Sequence, residues 1–147
     1  MALFQTQTAK NGKVPTLLSG TNASIIVRDF IVPTGAVVND VVEFGAIPHL
    51  ARIIDVEVFQ DGVGASCTAD IGLLYGNYGE ALGSRTCGNE FYSALAIATA
   101  GKAAQTTKNL MDVAPPKEFA VGFGLKFTGA NPTVGKKITI AITMASA

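Results

Sequence analysis

Near the end of the chain, in the stretch EFAVGFGLKFTG (residues 118–129), every second residue has a large apolar side chain, and the residues between them are small or polar. A period of two predicts a half-buried β-strand whose large side chains enter a core. On the opposite side of this strand, Gly122 and Gly124 lie where a side chain would be expected. Two explanations stay open: another chain or loop packs closely there, or the strand simply tolerates glycine or contains a bulge. The predicted core positions are Phe119, Val121, Phe123, Leu125 and Phe127.

The final segment repeats the alternation, with Ile138, Ile140, Ile142 and Met144 on one side. Between the two strands, TGANPTVGK (residues 128–136) is rich in glycine, asparagine and proline, which supply turn geometry. The pattern therefore predicts two strands that are joined either as a hairpin or by a change from one sheet to another.

Two earlier segments indicate a hairpin. In LARIIDVEVFQDG, residues 50–62, we expect Ile54, Val56 and Val58 to point inward and Asp55 and Glu57 to point outward. SCTADIGLLYG, residues 66–76, alternates in the same way after a short link that contains glycine.

The strand pattern SIIVRDFIV, residues 24–32, has apolar residues on both faces. Such a strand is typical of burial on both sides, within a sandwich or at a subunit contact. Further along, the glycine-rich residues 76–90 predict a long exposed loop. The alanine-rich segment that follows predicts one short helix over residues 90–99, with Asn89 as its N-cap and Gly101 as its C-cap.

Taken together, these elements predict a mainly β protein in which a single β-sandwich domain of jelly-roll or Greek-key type carries one short helix. An eight-stranded closed barrel is the competing architecture. The length of 147 residues suits one domain. We divide the chain into an extended N-terminal arm, residues 1–22, and the sandwich, residues 23–147.

Composition favours an assembled protein over one that binds nucleic acid or a membrane. Hydrophobic residues make up 48% of the chain and charged residues 15%, while 11 basic and 11 acidic residues cancel. A neutral surface does little to keep copies of the chain apart, and scattered lysines give no basic face for nucleic acid. No apolar run is long enough to span a bilayer, and the first residues do not resemble a signal peptide.

The residues that carry chemistry are few and do not form a known catalytic or metal-binding pattern. His49 is the only histidine, and Cys67 and Cys87 have no partner at ligand spacing. We expect both thiols to be free, with a single disulfide as the alternative. No nucleophile motif accompanies His49, so we expect neither a catalytic site, nor a metal site, nor a cofactor.

The order of three segments resembles the structural proteins of tailed-bacteriophage virions, specifically the head decoration (cement) or minor head proteins. The segments are VPTGAVVNDVVEFGAIPHLARIIDVEV, then QDGVGASCTADIGLLYGNYGE, and finally GLKFTGANPTVGKKITIAITM. The resemblance implies a non-enzymatic β-sandwich that binds the major capsid protein on the outside of the phage head and stabilises the shell. It also implies a homotrimer, made in the bacterial cytoplasm and located in the virion.

The residues alone suggest where such contacts lie. The arm has the composition of an extended segment that a partner orders, and we expect it to contact the capsid or a neighbouring subunit together with an edge strand; an ordinary frayed terminus is the alternative. The expected contact residues are Leu3, Phe4, Leu17, Leu18, Gly122 and Gly124.

A tail or fibre component that binds a carbohydrate of the host surface is the second interpretation. Sugar sites usually contain exposed aromatic side chains, and Tyr75 and Tyr78 lie together in the predicted loop. They are therefore the expected ligand-binding residues under this interpretation.

Overall fold

The computed structural model describes residues 1–12, 14, 23–80, 85–103, 108, 110, 113–114, 116 and 119–146, and all structural statements concern these. Two sheets enclose one hydrophobic core, so the prediction of a mainly β, single-domain sandwich is confirmed. Sheet I has the strand order β1-β3-β8-β5-β6, and sheet II has the order β2-β9-β4-β7. The strands are β1 (Leu3–Gln5), β2 (Ser24–Ile31), β3 (Val41–Ile47), β4 (Ala51–Asp61), β5 (Thr68–Leu73), β6 (Tyr92–Ala96), β7 (Ala100–Lys102), β8 (Val121–Thr128) and β9 (Lys137–Ser146).

Consecutive strands mostly lie in opposite sheets. From β2 to β5 the chain changes sheet at each connection, and it does so again from β6 to β9. The turn between β8 and β9 is therefore a change of sheet, which was one of the two predicted alternatives. The predicted hairpin of residues 50–62 with 66–76 is wrong, because β4 pairs with β9 and β7 while β5 pairs with β8 and β6. Local alternation identifies strands but does not show which strands pair.

The core lies between the two sheets. Ile138, Ile140, Ile142 and Met144 are fully buried, as predicted for β9. Opposite them, Phe44 and Phe123 stack with ring centroids 6.5 Å apart. The expectation for Phe119 is wrong, because β8 begins at Val121 and the Phe119 side chain is exposed.

A bulge changes the predicted orientation of one residue in β4. Ile53 pairs with Met144 and Asp55 pairs with Thr143, so Ile54 is an extra residue between them. A bulge leaves its extra residue unpaired. Ile53 consequently enters the core, whereas Ile54, which the alternation predicted to be inside, faces solvent.

The helix predicted over residues 90–99 is also wrong, since this region forms β6. Pairing with β5 places Leu95 in the core, and Ile97 is buried just beyond the strand. Ala94 has a φ of 48°, and its N–H donates to Asp70 Oδ1 at 2.8 Å. Tertiary pairing thus overrides the helix propensity of the alanines. The helix of the structure is α1 (Gln7–Lys10), where the Thr6 hydroxyl accepts a hydrogen bond from the Ala9 N–H.

Candidate functional site

The glycine side of β8 is covered by other parts of the same chain. A Cβ atom on Gly122 would meet Glu43 Oε1 and would lie 3.0 Å from Arg85 Nη2. A Cβ atom on Gly124 would meet the Val42 carbonyl oxygen and would lie 2.6 Å from Leu74 Cδ1. The structure supports both explanations of these glycines: Arg85, from the following loop, packs over Gly122, and β3 has a bulge between Glu43 and Gly45, opposite Gly124. Both glycines are buried within the single chain, beneath groups that belong to it.

Glu43 and Arg85 form a buried ion pair at the centre of this covering layer. The Arg85 Nη1 atom donates to Glu43 Oε1 at 2.5 Å, and both side chains are almost fully withdrawn from solvent. Arg85 also donates from Nε to the Tyr75 carbonyl at 3.0 Å. The prediction of a fully exposed loop at residues 76–90 is thus wrong at Arg85, which is its structural anchor. The Arg85 guanidinium can lie here because Gly122, on β8 beneath it, has no side chain.

The Gln5 side chain and the helix α1 complete the covering layer on the other side of Glu43. The Gln5 amide donates to Glu43 Oε2 at 2.7 Å, and the Tyr78 hydroxyl donates to the Thr8 carbonyl at 3.2 Å. The carboxylate therefore joins β1, β3 and the 75–90 loop into one polar cluster. Sequence reasoning did not identify Glu43 or Arg85, because their ion pair links positions 42 residues apart.

Apart from the two glycines, the predicted contact and ligand residues that the structure describes lie in β1 and in the segment after β5. Leu3 and Phe4 lie in β1, both half-buried, and Phe4 packs against Phe30 with ring centroids 6.2 Å apart. Leu17 and Leu18 fall outside the described residues. Of the two loop tyrosines, Tyr75 is 63% exposed, whereas Tyr78 is half-buried against residues 1–12. Burial, followed by the nearby charge of Glu43, raises the pKa of Tyr78.

The outer face of sheet II is not covered in the same way. On β2, Ile25, Val27 and Ile31 are 67%, 52% and 62% exposed, although the strand pattern predicted burial on both faces. The bulged residue Ile54 is 53% exposed. Between these strands, β9 presents the small side chains of Ala141 and Thr143. We call Ile25, Val27, Ile31 and Ile54 the apolar patch of sheet II; Asp29, exposed on the same face of β2, lies between Val27 and Ile31 and accepts a hydrogen bond from the Thr139 hydroxyl.

Side chains cap three backbone groups on β2 and β4 of sheet II. On β2, Arg28 Nη1 donates to the Val27 carbonyl at 2.8 Å. On β4, Asp55 Oδ1 accepts from the Val56 N–H at 2.9 Å, and the Tyr92 hydroxyl donates to the Val56 carbonyl at 2.8 Å. Because capped edge groups are poor templates for pairing with another strand, a partner is more readily bound by the face of sheet II than by its edges.

A shallow groove lies at one end of the same sheet. Its volume is about 400 Å³, and Phe59, Gln60, Lys102 and Lys137 are among its lining residues. The Lys102 ammonium forms an exposed ion pair with Glu57 and lies 6.0 Å from the centroid of the Phe59 ring. The groove therefore combines apolar and charged groups at the surface.

In the described part of the chain, no three His, Cys, Asp or Glu side chains are grouped closely enough to hold a metal ion. His49 is exposed in the turn between β3 and β4. Cys67 and Cys87 are both free, as predicted. No helix among the described residues has the length and apolar character that crossing a membrane requires.

Comparison with known proteins finds similar folds in phage capsids. A chain of the structure "Capsid of Ralstonia phage GP4" superposes with a TM-score of 0.86 and 22% sequence identity, and the match covers 99% of both chains. A chain of the "Cyanophage Pam1 capsid asymmetric unit" superposes with a TM-score of 0.55 and 17% identity over 90% of both chains. No protein-family model matches the chain, and no curated protein sequence matches it significantly.

The two superpositions establish a shared fold. Because the first covers nearly all of both chains, the Ralstonia phage chain is about as long as this one and contains no large additional domain. The complete sandwich, including β1 and the loop that covers sheet I, therefore has a counterpart in a chain of a phage capsid.

Proposed function

We propose that this protein is a non-enzymatic structural protein of a phage virion that binds the outside of the head and stabilises the shell. The observation that carries the proposal is the end-to-end fold match, at a TM-score of 0.86, with a chain from a phage capsid. In this role the protein is a decoration or cement protein, its partner is the major capsid protein, and its oligomeric form is a trimer.

A physical mechanism for stabilisation follows from mass action. A protein that binds only the assembled shell, and not the free capsid subunits, shifts the equilibrium toward assembly. Because each particle offers many equivalent positions, the effect adds over the copies bound. The neutral charge balance of the chain is compatible with dense packing of copies on one surface.

The apolar patch of sheet II is the surface through which we propose that the shell is bound. Three of its residues lie on β2, the strand at the edge of sheet II, so the proposal includes an edge strand in the contact. Part of the outer face of sheet I is covered by the chain's own loop and by α1, whereas the patch is open to solvent. Burying exposed isoleucine and valine side chains provides a driving force of roughly 25 cal/mol per Å² of apolar surface.

The deciding experiment is quantitative mass spectrometry of gradient-purified particles from the source lysate. The copy number of this chain is compared with that of the major capsid protein. A ratio near one, or a simple fraction such as one third, is the expected result for a protein that coats the head. A few copies per particle would instead place the chain in the tail or at a vertex, and absence from the particles would refute the virion role.

The contact surface is tested with particles produced in the presence of patch variants. We expect Ile25→Glu with Ile31→Glu to lower incorporation at least tenfold, because two charges would have to be desolvated at the contact. Tyr75→Glu is the matched control, since Tyr75 is 63% exposed and follows β5 of sheet I, in the sheet that does not carry the patch. Equal incorporation of all variants would exclude the patch as the contact.

A second candidate function is recognition of a host carbohydrate by a tail or fibre component, and the exposure of Tyr75 favours it. An aromatic ring that is accessible to solvent can stack on a sugar. Under this alternative the intact protein binds members of a glycan array, and Tyr75→Ala abolishes the signal. Absence of glycan binding by the intact protein would count against it.

A further inference from the structure

The side of β3 that faces away from β8 binds an extended segment through specific polar contacts. Its carboxylates receive two of them, from the Ala2 N–H to Asp40 Oδ1 at 2.6 Å and from the Gln5 amide to Glu43 Oε2 at 2.7 Å. The Thr6 hydroxyl donates to the Phe44 carbonyl at 2.6 Å. A parallel strand pairing accompanies these bonds, with Leu3 opposite Val41.

Backbone bonds fix the register of the same segment. The Val41 N–H donates to the Ala2 carbonyl, and the Thr6 N–H donates to the Glu43 carbonyl, both at 2.9 Å. Such bonds supply affinity without regard to sequence, whereas side-chain contacts supply specificity. The site therefore recognises the segment through the backbone of Ala2 and the side chains of Gln5 and Thr6.

The segment that occupies this site contributes little to the hydrophobic core. The contiguous core cluster begins at Ile26 and contains none of residues 1–12; only Phe4 packs against its rim. Its attachment thus resembles that of a bound peptide ligand. The sandwich retains all the residues of its core cluster whichever copy of the segment occupies the site.

The polar edge of β3 also differs from the edges of sheet II. There, the Val27 carbonyl and the Val56 backbone groups are capped by side chains of the chain itself. At β3, by contrast, the buried carboxylates of Asp40 and Glu43 accept bonds from the docked segment. Removal of the segment would leave these carboxylates without two of their partners, so an empty site would favour capture of another segment.

We infer that the edge of β3 from Asp40 to Phe44 is a strand-acceptor site, and that residues 2–8 of a second copy of this chain are a ligand for it. The identical sequence makes identical contacts, so exchange of this element between copies needs no new recognition. Ten residues separate residue 12 from residue 23, a length that spans at most about 33 to 36 Å when extended. Exchange is therefore restricted to copies that lie side by side. The inference concerns copies of this chain and does not depend on the particle on which they assemble.

The first test uses the full chain with a photo-crosslinking benzoylphenylalanine in place of Phe4. This chain is mixed in denaturant with a ¹⁵N-labelled wild-type chain, refolded at high concentration and irradiated. Mass spectrometry then shows whether a crosslinked peptide pair contains one isotope or both. We expect pairs of mixed isotope that join position 4 to peptides from β2 or β3. Pairs of a single isotope at every concentration would overturn the inference.

The second test measures binding of a fluorescein-labelled peptide of residues 1–12 by fluorescence anisotropy. In a full chain that carries Gln5→Ala and Thr6→Val, the chain's own segment is weakened as a competitor, so this variant should bind the peptide. Thr8→Ala is the matched control, because the bond from Tyr78 to residue 8 is accepted by its backbone carbonyl. We expect the double variant to bind at least tenfold more tightly than the Thr8→Ala chain or the wild type.

Circular dichroism confirms that the double variant is folded before it is titrated. Saturable binding by a folded double variant, weakened at least tenfold by Asp40→Ala in the same chain, would support the site. No difference between the double variant and the Thr8→Ala chain would refute it. The crosslinking experiment does not rely on these substitutions and provides an independent outcome if the double variant does not fold.

Discussion

Arg85 donates from Nη1 to Glu43 Oε1 at 2.5 Å, and the pair lies directly above Gly122, a residue without a side chain. The buried ion pair fits in this position because Gly122 has no Cβ atom. Through Gln5 on one side and the Tyr75 carbonyl on the other, the pair holds β1 and the 75–90 loop against sheet I. The closed face of sheet I depends on it.

Breaking this ion pair should destabilise the protein strongly. Arg85→Met or Glu43→Gln alone leaves a buried group without its partner, and we expect the free energy of unfolding to fall by about 3–5 kcal/mol. The double variant should lose less than the sum of the two single losses, because it leaves no unpaired charge. Urea denaturation of the four proteins measures the coupling. Strict additivity would show that the two residues do not interact as the structure indicates.

Substitution of Gly122 or Gly124 by alanine should lower the free energy of unfolding by unequal amounts. At Gly124 the new Cβ meets the backbone carbonyl of Val42, which cannot move without disturbing β3. At Gly122 it meets the ends of two side chains, which can shift. We expect a loss of about 3 kcal/mol for Gly124→Ala and about 1–2 kcal/mol for Gly122→Ala. Guanidinium denaturation tests the order, with Lys126→Ala on the same strand as control; equal losses would contradict it.

Removing the Tyr92 hydroxyl, which caps a carbonyl of β4, should lower the free energy of unfolding. Tyr92 is buried, and its hydroxyl donates to the Val56 carbonyl at 2.8 Å. Tyr92→Phe leaves this carbonyl without the bond, so we expect the free energy of unfolding to fall by about 1–3 kcal/mol. Tyr75→Phe provides the control because Tyr75 is exposed. Thermal unfolding of both variants tests the prediction, which an unchanged Tm for Tyr92→Phe would contradict.

The thiol of Cys87 should make stability dependent on alkaline pH. Burial raises its pKa from 9.0 to about 12. Between these values the unfolded chain loses the thiol proton while the folded chain keeps it, so stability falls as the pH rises. The slope for this one group is about 1.4 kcal/mol per pH unit. Urea denaturation from pH 8 to pH 11 should show a steeper decline for the wild type than for Cys87→Ala. Parallel curves would refute the assignment.

The same shift predicts slow alkylation of Cys87 in the folded protein. At pH 8 the thiolate, which is the reactive form, is about a thousandfold scarcer for a pKa of 12 than for a pKa of 9. Iodoacetamide should therefore label Cys87 at least tenfold more slowly in the native chain than in urea, since the greater nucleophilicity of a thiolate with a higher pKa offsets part of its scarcity. Cys67, whose pKa is also raised by burial, should behave in the same direction. Rapid labelling of Cys87 in the native chain would contradict the prediction.

The alternation of side chains was enough to predict the fold class and much of the core. For β9 it identified all four buried positions, because each residue of a strand points to the face opposite its neighbour's. It also drew attention to Gly122 and Gly124 as positions where something approaches closely. These conclusions require only local geometry, which the sequence carries directly.

Tertiary structure decided which strands pair, and with that the character of each surface. Only the assembled sheets show that β4 and β5 lie apart, that a bulge turns Ile54 outward and that an alanine-rich segment becomes β6. Likewise, the partner of Glu43 is 42 residues away. Such contacts depend on long-range packing, whose free energy outweighs local propensity. For this reason the buried ion pair, the capped backbone groups of sheet II and the pairing of β1 with β3 could be identified only from the fold.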